Sequence, residues 1–331
     1  MTFSKRLGFL ESGEDVDNIM ASVGANFEYF SVIGQMPWLD SYLLGKSPIY
    51  VKFFRKPVSS PVLIFAQRLL KERLDLESAD AKSIDETTRS KPSSLERPDF
   101  LSRFLQVRAE SSEPMSDRQV LSNLFMNINA GSDTIASTLR ALFYHLLKNP
   151  TTYRKLVSEL DDAHKHNKLT KPCPTWSETQ SLPYLRAVVK EALRMNPALS
   201  LPLERIVPPS GLELNNTKQT FLPPGTVVGI NPYVLHRDRR IFGADASAWN
   251  PDRWLEPREV ETKAMEHSLL SFGAGKRSCL GKHIAILELH KLVPAILLRF
   301  NVSLASPDAE WEVKNAWVLN QTGLDVKLTP R

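Results

Sequence analysis

The chain has 331 residues, 42% hydrophobic and 24% charged, with a net charge of +5, and so is long enough for one large or two ordinary globular domains. No basic run interleaves with aromatics, which argues against nucleic acid, and two cysteines, Cys173 and Cys279, make no disulfide framework. The start Met-Thr-Phe-Ser-Lys-Arg-Leu is not a signal peptide, and no apolar run has the length of a membrane span.

In chain order, residues 1–75 mix apolar clusters with Gly and Pro breaks and predict several short to medium helices. Residues 76–98, rich in Ser, Lys, Glu and Asp, predict an internal solvated loop. A long helix follows from Ser116-Asp117, a plausible N-cap, to Asn149-Pro150, with apolar residues recurring from Val120 to Leu147. Charged and apolar-basic helices are expected near Thr151–His166 and Tyr184–Met195. The pattern then turns to short strands: Leu203–Val207, Glu213–Leu214 and Thr226–Ile230, with a tight turn at Pro223-Pro224-Gly225. Residues 231–270 read as irregular. A helix from Leu280 to Phe300 and strands at Val302–Leu304, Val313–Leu319 and Leu324–Leu328 close the chain. The whole is mainly α with small β-sheets, expected as one domain over 1–331.

The chemistry concentrates at Phe272-Gly-Ala-Gly-Lys-Arg-Ser-Cys-Leu-Gly281. A single cysteine stands in a glycine-punctuated loop before an apolar helix. Alone, Cys279 could be a buried structural thiol. A thiolate is also a soft metal ligand, and haem iron accepts a single one. The following helix would favour negative charge on the sulfur, the Arg277 guanidinium would suit a carboxylate, and Gly275 and Gly281 would allow close approach and unusual dihedrals. Mid-helix, Ala130-Gly131-Ser132-Asp133-Thr134 is costly, since Gly loses about 1 kcal/mol against Ala. It suits either a helix–helix contact or a functional site. Glu191 and Arg194 share a helix face at i and i+3.

These segments, in this order, resemble the cytochrome P450 family of haem-thiolate monooxygenases from about residue 100 to the end. Phe-x-x-Gly-x-Arg-x-Cys-x-Gly is matched at every fixed position, by Phe272, Gly275, Arg277, Cys279 and Gly281. The resemblance implies the P450 fold and haem b (iron protoporphyrin IX). Cys279 would be the axial ligand to the iron, in a cradle including Phe272 and Gly275, with Arg277 and Arg205 on the propionates. Asp133 and Thr134 would carry protons to the oxygen side, although Ile135 stands where a second hydroxyl residue is common. Glu191, Arg194 and Arg253 would form a structural lock beneath the loop, with Trp254 where Phe is usual. His236, in His236-Arg237-Asp238, is expected to be structural rather than a ligand.

The implied activity is insertion of one oxygen atom from O2 into a small, mostly apolar substrate, in fungal secondary metabolite biosynthesis. Electrons would come from NADPH through NADPH–cytochrome P450 reductase, with cytochrome b5 as a further donor. Substrate contacts are expected from Ile128, Ala130, Ala198–Leu203 and Leu319–Thr322. A basic dock for the acidic reductase is expected from those of Lys276, Arg277, Lys282, His283 and Lys291 that face outward. No Trp-x-x-x-Arg segment occurs in residues 1–75, so the fold is expected to lack its N-terminal third. Full-length members are anchored in the endoplasmic reticulum membrane; this form is expected in the cytoplasm. The alternatives are a non-catalytic remnant unable to hold haem, and isomerase or dehydratase chemistry without a reductase, against which Asp133-Thr134 argues.

Overall fold

The computed structural model describes residues 2–42, 47, 52–53, 60–83, 99–111, 114–214, 220–255 and 259–331. It divides into two compact units, Met1–Ser132 and Asp133–Arg331.

The first unit is helical: α1 (Phe9–Ser12), α2 (Ile19–Ile33), α3 (Pro61–Ser83), α4 (Phe100–Glu110) and α5 (Asp117–Gly131), with 3-10 turns at Val16–Asn18 and Pro37–Ser41. In α3, Val62, Phe65, Ala66, Leu69 and Leu70 recur at helical spacing and are buried. They pack with Val23, Leu101, Val120 and Leu124 from α2, α4 and α5. Asp99 caps α4 by accepting from Ser102 N at 2.7 Å, and its other oxygen takes Arg73 Nη2 at 2.7 Å. The expected cap at Ser116 is present as a reciprocal capping box with Gln119.

The predicted loop over 76–98 begins later than its composition suggests. Helix α3 runs on to Ser83, because Glu, Ala and Lys are good helix formers as well as polar residues. Residues 84–98 lie outside the described ones.

The second unit opens with α6 (Asp133–Lys148), α7 (Pro150–Lys165), α8 (Trp176–Gln180) and α9 (Pro183–Met195). The expected single helix over 116–148 is thus divided at Ser132, which keeps right-handed φ −85° and ψ −63°. Its hydroxyl donates to Ile128 O at 3.1 Å, a side-chain back-bond that competes with the regular ladder. Helix α9 is the centre of the unit. Nearly all of its side chains are buried, including Leu185, Val188, Val189 and Ala192. Glu159 on α7 caps it, accepting from Tyr184 N at 2.7 Å and Leu185 N at 2.9 Å.

Among the described residues, eight short strands follow in four antiparallel pairs: β1 (Leu203–Ile206) with β4 (Val227–Ile230), β2 (Leu212–Leu214) with β3 (Thr220–Leu222), β5 (Phe300–Leu304) with β8 (Val326–Pro330), and β6 (Glu312–Ala316) with β7 (Val318–Thr322). The turn at Pro223–Gly225 therefore links β3 to β4. The expected strand over Val313–Leu319 is two strands that reverse at Trp317, where φ is +68°. Nothing in an apolar run of Ala-Trp-Val-Leu marks a left-handed turn.

Residues 231–270 carry α10 (Pro232–Leu235), α11 (Arg239–Phe242), a 3-10 turn at Pro251–Trp254 and α12 (Glu259–Ser268), instead of being wholly irregular. Helix α12 buries only Met265 among its described side chains, too little for a visible periodicity. Helix α13 (Lys282–Leu297) starts two residues later than expected. Its Leu289, Val293 and Leu297 share one core with Leu142 and Leu146 of α6 and the apolar face of α9. Among the described residues no helix is long and apolar enough to cross a membrane.

Candidate functional site

The site rests on a buried support. Glu191 and Arg194 on α9 have fully buried side chains, and Arg253 is 7% exposed. Glu191 Oε1 accepts from Arg194 Nη2 at 2.7 Å, Arg253 Nε at 3.1 Å and Asn250 N at 2.9 Å. Glu191 Oε2 accepts from Arg194 Nε at 2.8 Å and Trp254 Nε1 at 2.9 Å. The tryptophan that departs from the usual phenylalanine thus adds a donor to the lock. The remaining Arg194 protons go to the carbonyls of His236 and Ala248, at 2.7 and 2.9 Å, and of Ala246. Arg253 turns its other face to Asp245, with both contacts at 3.0 Å, and to Phe242 O. Burial works to raise the Asp245 pKa, but hydrogen bonds from Asn250 and Arg253 outweigh it and hold the carboxyl below its ordinary value.

So the three residues predicted for the lock do meet. Asp245, Asn250 and Trp254 complete it, and no spacing rule in the sequence picks them out.

The cysteine loop is joined to the end of α9 just before it begins, where Ser271 Oγ donates to Leu193 O at 2.7 Å. Cys279 is exposed and makes no disulfide. Its backbone is held: Cys279 N donates to Phe272 O at 2.8 Å, Gly273 N to Leu270 O at 2.8 Å and Ser278 N to Gly275 O at 3.1 Å. Gly273 and Gly275 take φ of +65° and +66°, the left-handed region in which a side chain is strained. Gly281, expected to take an unusual dihedral, does not. Its φ is −83° and it forms the N-cap of α13. A β-carbon there would lie 3.8 Å from Cys279 Sγ, so its lack of a side chain keeps that flank of the sulfur uncovered. Phe272 is half-buried and its ring packs on the core shared by α6, α9 and α13. Its carbonyl, more than its ring, acts on the cysteine.

The other predicted residues are placed as follows. Arg277 and Arg205 are exposed, and Arg205 Nη1 donates to Glu204 O at 2.7 Å. Arg205 shares a face of β1 with Leu203, two residues away, and Leu203 reaches to 3.9 Å of where a Gly273 side chain would begin. Arg205 therefore stands on the strand face turned toward the loop. Lys276, Lys282 and His283 are exposed; Lys291 is half-buried and contributes less to an outward basic face than expected.

Asp133 and Thr134 are half-buried in the first turn of α6, where an acid suits the helix dipole. A β-carbon at Gly131 would meet nothing within 4 Å among the described residues.

Two of the four expected substrate segments meet in the second unit. Leu319 N donates to Ala198 O at 2.9 Å, and Leu199 bridges Val318. Gln321 Nε2 donates to Ser137 Oγ at 3.0 Å, one helical turn beyond Thr134. Ile128 and Ala130 belong to the first unit, and Ile128 packs there against its core.

The residues present fit an iron porphyrin. A lone exposed thiol offers a soft ligand on a rigid loop. Exposed guanidiniums at Arg277 and Arg205 suit carboxylates. Leu280, fully exposed beside the sulfur, gives an apolar contact that water does not favour.

The chain matches the family profile described as Cytochrome P450 over residues 39–328. It is 44% identical over 331 residues to the cytochrome P450 monooxygenase cicH of Emericella nidulans, covering all of this chain and 62% of that protein. It is 39% identical over 333 residues to the cytochrome P450 monooxygenase mpaDE of Penicillium roqueforti, covering all of this chain and 37% of that protein. A cytochrome P450 monooxygenase of Aspergillus terreus is 43% identical over 304 residues, 92% of this chain and 58% of that protein. The chain therefore spans less than two thirds of the length of these curated relatives.

Proposed function

The chain belongs to the cytochrome P450 family, and on that premise we propose that it carries the haem-thiolate half of a monooxygenase, with Cys279 as axial ligand to haem b. The observation that carries this reading is one exposed thiol on a loop pinned by its own backbone, in a unit that also buries a lock of one carboxylate and two guanidiniums. When bound, haem supplies activation of dioxygen at an iron made electron-rich by the thiolate.

The chain's own residues then have separable tasks. Cys279 donates its thiolate, and Gly281 leaves room beside it. Arg277 and Arg205 bind the propionates. Asp133 and Thr134 bring protons to the oxygen side, the alcohol donating and the carboxyl resupplying it. The joined segments at Ala198–Leu199 and Val318–Leu319 form an apolar wall for a small organic substrate. The balance is one O2, one NADPH and one proton consumed per hydroxyl group and water formed. Fungal relatives support secondary-metabolite tailoring as the context. An endoplasmic reticulum membrane is the location proposed for the whole protein.

With NADPH–cytochrome P450 reductase and labelled dioxygen, the product gains one labelled oxygen. Replacing Thr134 with Ala lowers product formation by about 10²-fold and diverts electrons to hydrogen peroxide. Unchanged coupling in that variant counts against the proton role.

Electrons are proposed to enter across the exposed cations Lys276, Arg277, Lys282 and His283, which suit the acidic face of a flavoprotein reductase; cytochrome b5 is a second donor of the same charge type. The rate of haem reduction falls as salt rises from about 0.01 to 0.15 M, where the Debye length drops from roughly 30 to 8 Å. A rate indifferent to ionic strength would remove the dock.

A further inference from the structure

His236 is wholly buried at the C-terminal end of α10, and both of its ring nitrogens are engaged. Nδ1 lies 3.0 Å from the main-chain oxygen of Arg194, in the last turn of α9. Nε2 lies 2.8 Å from the main-chain nitrogen of Leu270, two residues before Phe272. A carbonyl can only accept and an amide can only donate. Nδ1 therefore carries the proton and Nε2 accepts, which only one neutral tautomer satisfies. Burial, with the nearby Arg194 and Arg237 charges, holds the ring pKa down at about 4, so the ring is neutral at pH 7.

From Leu270 the bonding runs on to the sulfur-bearing residue. Leu270 O accepts from Gly273 N, and Phe272 O accepts from Cys279 N, each at 2.8 Å. Next to the histidine link, Ser271 Oγ donates to Leu193 O at 2.7 Å. The last turn of α9, which carries the buried Glu191–Arg194 pair, thus grips the entry of the cysteine loop at two adjacent carbonyls. One grip is direct and the other passes through an imidazole.

We infer that His236 is a positioning residue for Cys279, transmitting the geometry of α9 to the cysteine loop through the Leu270 amide. Its consequence for haem rests on the proposed role of Cys279; its effect on the loop does not.

Two substitutions separate the ring nitrogens. In His236→Asn the amide reaches the Nδ1 position and keeps the donor to Arg194 O, but leaves Leu270 without an acceptor. In His236→Gln the side-chain oxygen reaches the Nε2 position and keeps that acceptor. Amide hydrogen exchange is measured on the full chain, comparing residues 270–279 with the β5–β8 ladder. Alkylation of Cys279 by iodoacetamide is followed in a Cys173→Ser background. His236→Asn speeds exchange in 270–279 by about tenfold, as for one ordinary hydrogen bond lost. It also changes the alkylation rate, while β5–β8 is unaltered, and His236→Gln restores both.

Unchanged loop exchange in His236→Asn, or acceleration shared equally with β5–β8, overturns the inference. So does a failure of glutamine to restore where asparagine disrupts. Should either variant fail to fold, ring nitrogen-15 shifts of the wild-type chain decide: a protonated Nδ1 and a bare Nε2 are required, and the opposite tautomer overturns it. A tethered loop that nevertheless takes up no haem would refute the proposed function alone.

Discussion

Replacing Glu191 with Ala destabilises the second unit by about 3–5 kcal/mol, the range for breaking one partner out of a buried ion pair. The side chain accepts from Arg194 twice, from Arg253, from Trp254 Nε1 and from Asn250 N. Without it, two guanidiniums stay behind in a region that water does not reach, since Arg194 is 0% exposed. Small domains have only about 5–15 kcal/mol in total, so the loss is a large share. The comparison is Lys155→Ala, which breaks a solvent-exposed contact with Asp252 and costs less than about 1 kcal/mol. Urea unfolding of both variants, read by a Trp signal and by exchange within α9, measures the difference. Equal midpoints for the two would contradict the lock as the unit's support.

Stability also falls steeply with acid, and two histidines set the window. Burial holds His236 at a pKa of about 4 and His145 at about 4, below the ordinary 6.5. Above 6.5 neither the folded nor the unfolded ring carries a proton, and the full stability is present. As pH falls from 6.5 to about 4, the unfolded chain binds protons that the folded one refuses, so stability declines. At about 1.4 kcal/mol per unit, His236 alone accounts for roughly 3 kcal/mol across that window. Below it the carboxylates take over. Hydrogen bonds from Thr170 and Thr175 hold Glu178 at about 2, and Arg240 holds Asp238 at about 2, so protonation there removes further stability. Urea midpoints at pH 7, 5.5 and 4 should fall in order, and the slope between 7 and 4 should lessen in His236→Gln. A flat profile down to pH 4 would show that the imidazoles are not held neutral.

How much of this could be read in advance differs from element to element. The decapeptide around Cys279 and the Glu191–Arg194 spacing are local patterns, and the Glu191–Arg194 pair forms across one helix face. Helices α7 and α9 were legible because their apolar residues recur at helical spacing, and Pro150 and Pro183 mark their starts. What escaped was decided by contacts distant in sequence. Asp245, Asn250 and Trp254 join the lock from 54 to 63 positions beyond Glu191. The two bonds of His236 span 42 and 34 residues, so no local pattern could reveal what it connects. Trp317 shows the opposite limit: its left-handed backbone sits in a run that by propensity is a strand. Gly281 met half of its expectation: a β-carbon there would lie 3.8 Å from Cys279 Sγ, so it does allow close approach, but its φ of −83° is ordinary.

The central claim is that Cys279 binds haem iron as a thiolate, and the absorption spectrum of the reduced, carbon-monoxide-bound chain after haem reconstitution tests it most directly. The account predicts the long-wavelength thiolate-shifted Soret band in the wild type and its complete loss in Cys279→Ala. A wild-type band at the position of histidine-ligated haem, or a shifted band that persists without the Cys279 sulfur, would contradict it.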